Sequence, residues 1–394
     1  MGHDRVSDTV PMSSTRIVII GGGITGAAAA YELGRRAAPE ALEVTVVDRD
    51  APGRATPAGA GIICPWVDHE DDDAWYRLTA AGARHYPELI AMLAEDGVRE
   101  TGYARVGALV VADGASGLRD ARTLLERRHE GAPEMGAVEE AAEPRELFPP
   151  LRPGLAALRI DGAARVDGRA VRDALLTAAA RQGVTIRTGT AALTADPGTI
   201  TIDGAPLRAD AVIVAAGAWT GEVCAPLVPG LPVLPQRGQL VHAHLPGADT
   251  SGWPIVLPRV GPYLLGFPGS RVVFGATREL AGFDHRPTVG GVHEVLAEGL
   301  AVAPGLAGAA IGEIRAGLRP LAADGRPVLG RLAPGVVVAT GLSAYGLTAG
   351  PYAGRLAAVL ALDPGAGEPW PEFTPARFLS DIPSANASRP PSRP

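Results

Sequence analysis

Apolar and polar positions set out the first unit between residues 16 and 50, RIVIIGGGITGAAAAYELGRRAAPEALEVTVVDRD. Arg16 to Ile20 is a short, β-branched apolar run, the composition of a strand buried on both faces. Gly21, Gly23 and Gly26 follow as G-x-G-x-x-G, Ala27 to Arg36 continues as an alanine-rich helix, and a second strand, Val44 to Val47, ends on Asp48. In such a unit the first glycine makes the tight turn, the second lets backbone approach a pyrophosphate, and the third lets helix pack on strand. The pyrophosphate rests on the free N–H groups and positive end of the helix. Asp48 stands where a ribose-binding acid is needed, so the pattern predicts adenine-dinucleotide binding.

Beyond this unit, residues 51–66 (APGRATPAGAGIICPW) form a loop of small side chains. A helix is predicted from about Ala74 to Ala94, with the acidic run Asp68–Asp73 at its start, where it suits the helix dipole. Residues 95–150 alternate short strands such as Ala108 to Val111 with charged helical stretches such as Leu118 to Arg128. Near Ala164, ARVDGRAVRDALLTAAARQGVTIRTG reads as turn, helix and strand with Asp167 as N-cap, and Ala209 to Ala216 is another buried strand. Residues 229–313 change character: runs at Gln239–His244, Tyr263–Phe267 and Arg271–Ala276 between Pro/Gly turns predict an antiparallel sheet. The nucleotide-domain style returns in residues 314–376, with Gly335 to Thr340 as a strand before a loop and helix.

The predicted class is therefore α/β with two domains. A Rossmann-like domain is assembled from residues 14–78, 160–228 and 314–376, and a mixed or antiparallel-sheet domain is inserted from 79–159 and 229–313. Residues 1–13 and 377–394 are expected to be flexible termini.

Composition narrows the chemistry. A net charge of −7 with no basic stretch argues against nucleic acid as a partner. All 36 basic residues are arginine, which excludes a Schiff-base lysine, a pyridoxal-phosphate anchor and a Walker A loop. Two cysteines, Cys64 and Cys224, cannot make a disulfide framework. The first fifteen residues lack a secretory pattern, and no apolar stretch reaches the length of about 18 needed to span a bilayer. The cytoplasm is the expected location, with peripheral membrane contact and self-association left open. His69 lies among acids without a second ligand cluster, so a solvated helix start is favoured over a metal site, and no metal is expected. His242 and His244 read as ordinary histidines on one strand face. Gly341-Leu342-Ser343-Ala344-Tyr345-Gly346 spaces its second glycine one residue too far for a nucleophile elbow, and the sequon at Asn386 has no secretory route to serve it.

Seven separated motifs carry a wider resemblance: IVIIGGGITGAAAAYEL, GRATPAGAGIICPW, VDGRAVRDALL, VIVAAGAW, GSRVVFGAT, AGLRPLAADGRPVLG and ATGLSAYGLTAGP. Their order over about residues 14–370 resembles the D-amino-acid oxidase family of flavoproteins, with glycine oxidases and small D-amino-acid dehydrogenases the most similar branches. The resemblance implies FAD rather than NAD, which agrees with the lack of a second G-x-G-x-x-G unit. It implies non-covalent FAD, because LAADG follows the arginine motif where some relatives carry the attaching cysteine.

By the same resemblance, Gly21, Gly23, Ile24, Thr25 and Gly26 hold the pyrophosphate and Asp48 the ribose, while Arg54, Ala55, Thr56 and Gly59, Ala60, Gly61 and Ile62 pass the flavin ring. Ala192 falls beside the adenine, and Ala216, Gly217 and Trp219 flank the cofactor again. Gly341 to Thr348, with Ser343, Tyr345, Gly346 and Leu347, offers backbone N–H groups and a helix start to the pyrimidine edge of the ring. Arg319, in GLRP, corresponds to an arginine that forks onto the substrate carboxylate, and Tyr263 to a tyrosine whose hydroxyl joins it. A surface ion pair for Arg319 and a plain sheet tyrosine for Tyr263 are the competing readings. Ala344 stands where glycine oxidases often carry a second arginine, and no histidine lies near Gly261, which leaves room for a different substrate side chain.

The implied reaction is oxidation of the C–N bond of a small amino acid, whether a D-amino acid, glycine or an N-alkyl glycine. Hydride passes to flavin N5 and the imine is hydrolysed to a 2-oxo acid. Electrons then go to O2 in an oxidase or to a quinone or carrier in a dehydrogenase. The lysine that some relatives use towards oxygen is absent. A flavin-binding subunit or sensor without turnover is the reading from another class.

Overall fold

The apolar runs of the sequence become the central strands of a six-stranded sheet in a computed structural model that describes residues 14–36, 41–259 and 261–379. The order is Val328–Ala333, Val336–Thr340, Ala211–Val214, Thr15–Ile20, Leu42–Asp48, Thr185–Thr188. All neighbours are parallel except the edge strand Val328–Ala333. Side chains alternate along a strand, so the two faces of Thr15–Ile20 serve two cores. Ile17 and Ile19 pack with Ala27, Ala30 and Leu33 of the helix Ile24–Arg36, whereas Val18 and Ile20 pack with Ile200 and Ile202 of a three-stranded meander, residues 191–208.

The alanine and glycine content of the two longest cofactor-side motifs has a packing reason. The helix Gly346–Leu362 crosses Ile24–Arg36 so closely that a Cβ on Gly354 would lie 2.3 Å from the carbonyl oxygen of Thr25. The crossing brings the start of Gly346–Leu362 and the glycine turn before Ile24–Arg36 to one cavity.

A second, eight-stranded sheet runs Ala310–Ala322, Val233–His244, Arg271–Gly275, Tyr263–Phe267, Ile255–Pro258, Ala108–Asp113, Leu155–Ile160, Val138–Ala141. It is antiparallel apart from the pair Ile255–Pro258 with Ala108–Asp113. The strands Val233–His244 and Ala310–Ala322 form a long ribbon of which the sequence showed only Gln239–His244. Its register explains why. Pro235 lies opposite Pro320 and Gly238 opposite Gly317, so turn-type residues interrupt the apolar alternation of both strands at matched positions. The ribbon runs through position 314, where the sequence pattern returned to the nucleotide style.

The helix predicted at about Ala74 to Ala94 is Asp73–Glu95, capped by Asp72, whose carboxylate accepts from the Trp75 N–H at 3.1 Å. Arg377 to Leu379, expected to be flexible, instead belong to a helical turn. Arg377 is held there by Asp324 at 2.7 Å and by the carbonyls of Arg326 and Pro327. Residues 1–13 and 380–394, including Asn386, lie outside the described residues. Among the described residues no helix is long and apolar enough to cross a membrane, and no group of three or more His, Cys, Asp and Glu side chains is gathered as a metal site.

Candidate active site

A cavity of about 1050 Å3 is lined by residues of both large sheets. On the nucleotide side the glycine turn has no room for side chains. Gly21 sits at φ +106°, and a Cβ there would lie 2.4 Å from the Ala215 carbonyl oxygen. A Cβ on Gly26 would lie 1.9 Å from the carbonyl oxygen of Gly21, so Gly26 serves helix packing and does not line the cavity. Gly23, Ile24 and Thr25 line it, and the Ile24 N–H donates to Thr56 Oγ1 at 3.0 Å.

Asp48 is already held. Its Oδ1 accepts from the Asp50 N–H at 3.0 Å, and its Oδ2 lies 3.3 Å from Arg54 Nη1 and 3.4 Å from Arg172 Nη2. Arg172 Nε also donates to the carbonyl of Gly22 at 2.6 Å, tying the acid to the glycine turn.

Arg54, Ala55 and Thr56, the run Gly59 to Ile62, and Ala216, Gly217 and Trp219 all line the same cavity. Beside the meander strand Ala191–Leu193 the lining residue is Ala191 rather than Ala192, a correction of one position that reverses the side-chain direction. From the last loop, Ser343, Gly346 and Leu347 face the cavity and Gly341, Tyr345 and Thr348 do not. Gly341 supplies a positive-φ turn against Val328, Thr348 Oγ1 donates to the Ile62 carbonyl at 2.9 Å, and the Tyr345 ring packs 4.3 Å from His69.

Whether a dinucleotide fits is tested by the cavity-facing glycines. A Cβ on Gly217 or Gly346 would meet nothing within 4 Å, so both leave open space beside the backbone that lines the cavity. Open backbone at a helix start, a glycine turn and a fixed acid together suit an elongated pyrophosphate-containing ligand.

The large-sheet side carries the cations. Arg319 projects from the edge strand Ala310–Ala322 across Gly238, where a Cβ would lie 2.3 Å from its Nη2. Its Nη1 donates to the carbonyl of Thr277 at 2.9 Å and, weakly, to that of Arg237 at 3.5 Å. Among the described residues no carboxylate pairs with it. Tyr263 stands against Gly275, where a Cβ would lie 2.8 Å from the phenol oxygen. Burial pushes the Tyr263 phenol above its ordinary value while the Arg319 guanidinium opposes, so the hydroxyl keeps its proton at neutral pH.

Arg278, directly after the GAT motif, also lines the cavity and has no ion-pair partner among the described residues. Sequence reasoning missed it, together with Gly238, although its place beside a matched motif was the available signal.

The remaining wall includes Glu294, Val295 and Glu298 of the helix Val289–Val302 and, from the segment Pro65–His69, Asp68, which is held from behind. Buried Arg128 donates to the carbonyls of Trp66, Asp68 and His69 at 2.8, 2.6 and 2.9 Å, and its guanidinium lies 3.7 Å from the Tyr76 ring centre. Asp68 thereby faces the cavity. His69, the rejected metal candidate, is packed 4.7 Å from Trp75, and burial lowers it to about 4.

The sheet order, the glycine cradle and the fixed acid define the architecture of an adenine-dinucleotide-binding flavoprotein. The profile of the family described as FAD dependent oxidoreductase (DAO) matches residues 16–360, and the chain belongs to that family. It is an FAD-dependent oxidoreductase. It is 45% identical over 354 residues to "Uncharacterized oxidoreductase YurR" of Bacillus subtilis, covering 88% of this chain and 94% of that protein. It is 30% identical over 331 residues to the glycine oxidase of Pseudomonas putida, covering 80% and 86%. Among solved structures it is similar to the iminodiacetate oxidase (IdaA) of Chelativorans sp. BNC1, with a TM-score of 0.87, 46% identity, and coverage of 91% of this chain and 99% of that one.

Proposed function

We propose that the enzyme oxidises the C–N bond of a small amine bearing a carboxylate on the reacting carbon, and that its preferred substrates carry a second carboxylate, as iminodiacetate does. The observation that carries this reading is the Arg319 guanidinium, desolvated by burial, which lines the cavity without a carboxylate partner among the described residues, with Arg278 and Arg259 as further arginines unpaired among those residues on the exposed part of the same lining. A cation desolvated by burial and left without a counter-ion, as Arg319 is, is a site prepared for an anion. The similarity to an iminodiacetate oxidase at 46% identity supports the same class.

Bound in the cavity, FAD supplies the acceptor for a hydride. The chain's own residues do the positioning. Arg319 keeps Nη1 on the Thr277 carbonyl and turns Nη2 and Nε to one carboxylate, while the protonated Tyr263 hydroxyl donates to the same group. Arg278 takes the second carboxylate. Held at two points, the carbon–hydrogen bond is fixed in direction, and orientation supplies much of the rate. The amine binds neutral, so no side-chain base is required at carbon. Hydride departs with the bonding pair, the nitrogen lone pair forms the C=N bond, and water cleaves it to a 2-oxo acid and an amine. Iminodiacetate gives glyoxylate and glycine, and the two electrons pass to O2.

The test is anaerobic bleaching of oxidised-flavin absorbance with iminodiacetate, glycine, sarcosine, D-alanine and proline. Iminodiacetate should bleach at the lowest concentration, and admitted air should restore the colour. Faster bleaching by D-alanine would overturn the dicarboxylate class. Failure to recolour in air would move the acceptor to a quinone or carrier protein.

A further inference from the structure

Five polar residues behind Arg319 form a network that the proposed chemistry does not use. Arg237 and Glu279 face each other across an isolated bridge, with backbone bonds of 2.8 and 2.9 Å in both directions, and their side chains pair at 2.5 Å. Glu279 Oε1 accepts from Thr277 Oγ1 and from Gln239 Nε2, both at 2.6 Å. Thr277 Oγ1 in turn accepts from the Gln239 N–H at 3.0 Å, and Gln239 Oε1 accepts from the Thr288 N–H at 2.7 Å. One carboxylate therefore cross-links the segment 277–279 to the strand carrying Arg237 and Gln239.

Those same two segments own the two backbone acceptors of Arg319, the carbonyls of Thr277 and Arg237, and the Tyr263 hydroxyl is its side-chain neighbour. The guanidinium is aimed by two backbone oxygens; the Arg237 oxygen accepts the Glu279 N–H at 2.9 Å, and the Glu279 carboxylate grips the Thr277 hydroxyl and the Arg237 side chain beside them. We infer that Glu279 is a positioning residue for Arg319, setting the direction of the carboxylate-binding fork through Thr277, Arg237 and Gln239. This rests on the reading of Arg319 as the carboxylate anchor.

The network has no slack for a neutral replacement. Each partner of Glu279 is a donor: an ionised carboxylate only accepts, so the Thr277 hydroxyl, which accepts from the Gln239 N–H, donates its proton to Glu279. A carboxamide in place of the carboxylate would present its NH2 to another donor; the backbone bonds between 237 and 279 and from the Thr277 N–H to the Gln239 carbonyl would keep the segment docked, while the lost side-chain link would let the Thr277 carbonyl turn away from Arg319. The side chain of Arg237, only 8% exposed, would keep Asp284 as a second partner at 3.3 Å. The charge is therefore not stranded and Glu279→Gln should fold.

The experiment uses the holoenzyme and diglycolate, the ether counterpart of iminodiacetate, which has no amine to oxidise. Its binding is read from the flavin spectrum and by calorimetry, with the neutral diamide of diglycolate as control. Glu279→Gln should weaken diglycolate about tenfold and leave the diamide unchanged, with no further loss when added to Arg319→Ala. Thr277→Val, which removes the hydroxyl link with little change of shape, should reproduce the effect if Glu279→Gln yields too little holoenzyme. Unchanged diglycolate affinity in both variants, or equal weakening of both probes, would overturn the positioning role. If Arg319→Ala bound diglycolate as well as the unmodified enzyme, the anchor reading itself would fall, an outcome distinct from the first two.

Discussion

The two sides of the cavity solve opposite problems with the same kinds of residue. On the nucleotide side the acid Asp48 is paired within the chain with Arg54 and Arg172, and much of the remaining surface is glycine backbone. On the large-sheet side Arg319 and Arg278 have no protein counter-ion among the described residues. A resident group suits a surface already satisfied and rigid, because nothing there must change between turnovers. An exchanged anion suits unpaired charge, because the partner that completes the site is the substrate.

The comparison breaks first at the glycine turn. Gly21→Ala should abolish recovery of yellow protein, since its Cβ would press on the Ala215 carbonyl at 2.4 Å and the φ of +106° disfavours any side chain; normal flavin content would contradict the packing argument. Arg319→Ala should raise KM by about 10²- to 10³-fold with flavin content intact, as expected for removal of a charged, desolvated anchor; steady-state kinetics check this, and an unchanged KM removes its role. Arg278→Ala should raise KM for iminodiacetate about tenfold and for glycine less than about twofold, so the ratio of the two is the sensitive readout. Asp48→Asn should weaken FAD by less than about tenfold in equilibrium dialysis and leave KM unaltered once the flavin is bound.

The smallest effect concerns protons. Burial, then Arg315 and Arg271, lower His242 to about 3 from its ordinary 6.5, so the cation-rich sheet refuses another charge. The unfolded chain takes up a proton below about pH 6.5 that the folded chain declines, and stability therefore falls as pH drops from about 6.5 towards 3. Melting temperatures followed across that window should decline less steeply for His242→Gln than for the unmodified enzyme.

Much of the nucleotide side was legible because its logic is local. Gly21, Gly23, Gly26 and Asp48 fall within one strand–helix–strand unit, where spacing alone dictates contact. The large-sheet side is assembled from distant segments: Arg319 meets the Arg237 carbonyl across 82 positions and the Thr277 carbonyl across 42. Arg319 and Tyr263 were reached through motif resemblance, whereas Gly238 acquires its meaning only when the register sets it beneath the arginine. Ala192 shows the limit at finer scale, since a one-residue uncertainty in a three-residue strand exchanges inside for outside.

The grip of Arg128 on the segment Pro65–His69 has a consequence for how this enzyme can be altered. The guanidinium reads carbonyl oxygens at positions 66, 68 and 69, and every amino acid supplies an identical carbonyl. Side-chain identity at position 68, on the cavity wall, is thus uncoupled from the grip of Arg128, and the Asp68 carboxylate answers instead to the Tyr345 hydroxyl beside it. Diversifying that position in a directed-evolution library would vary what the substrate meets while the loop keeps its course.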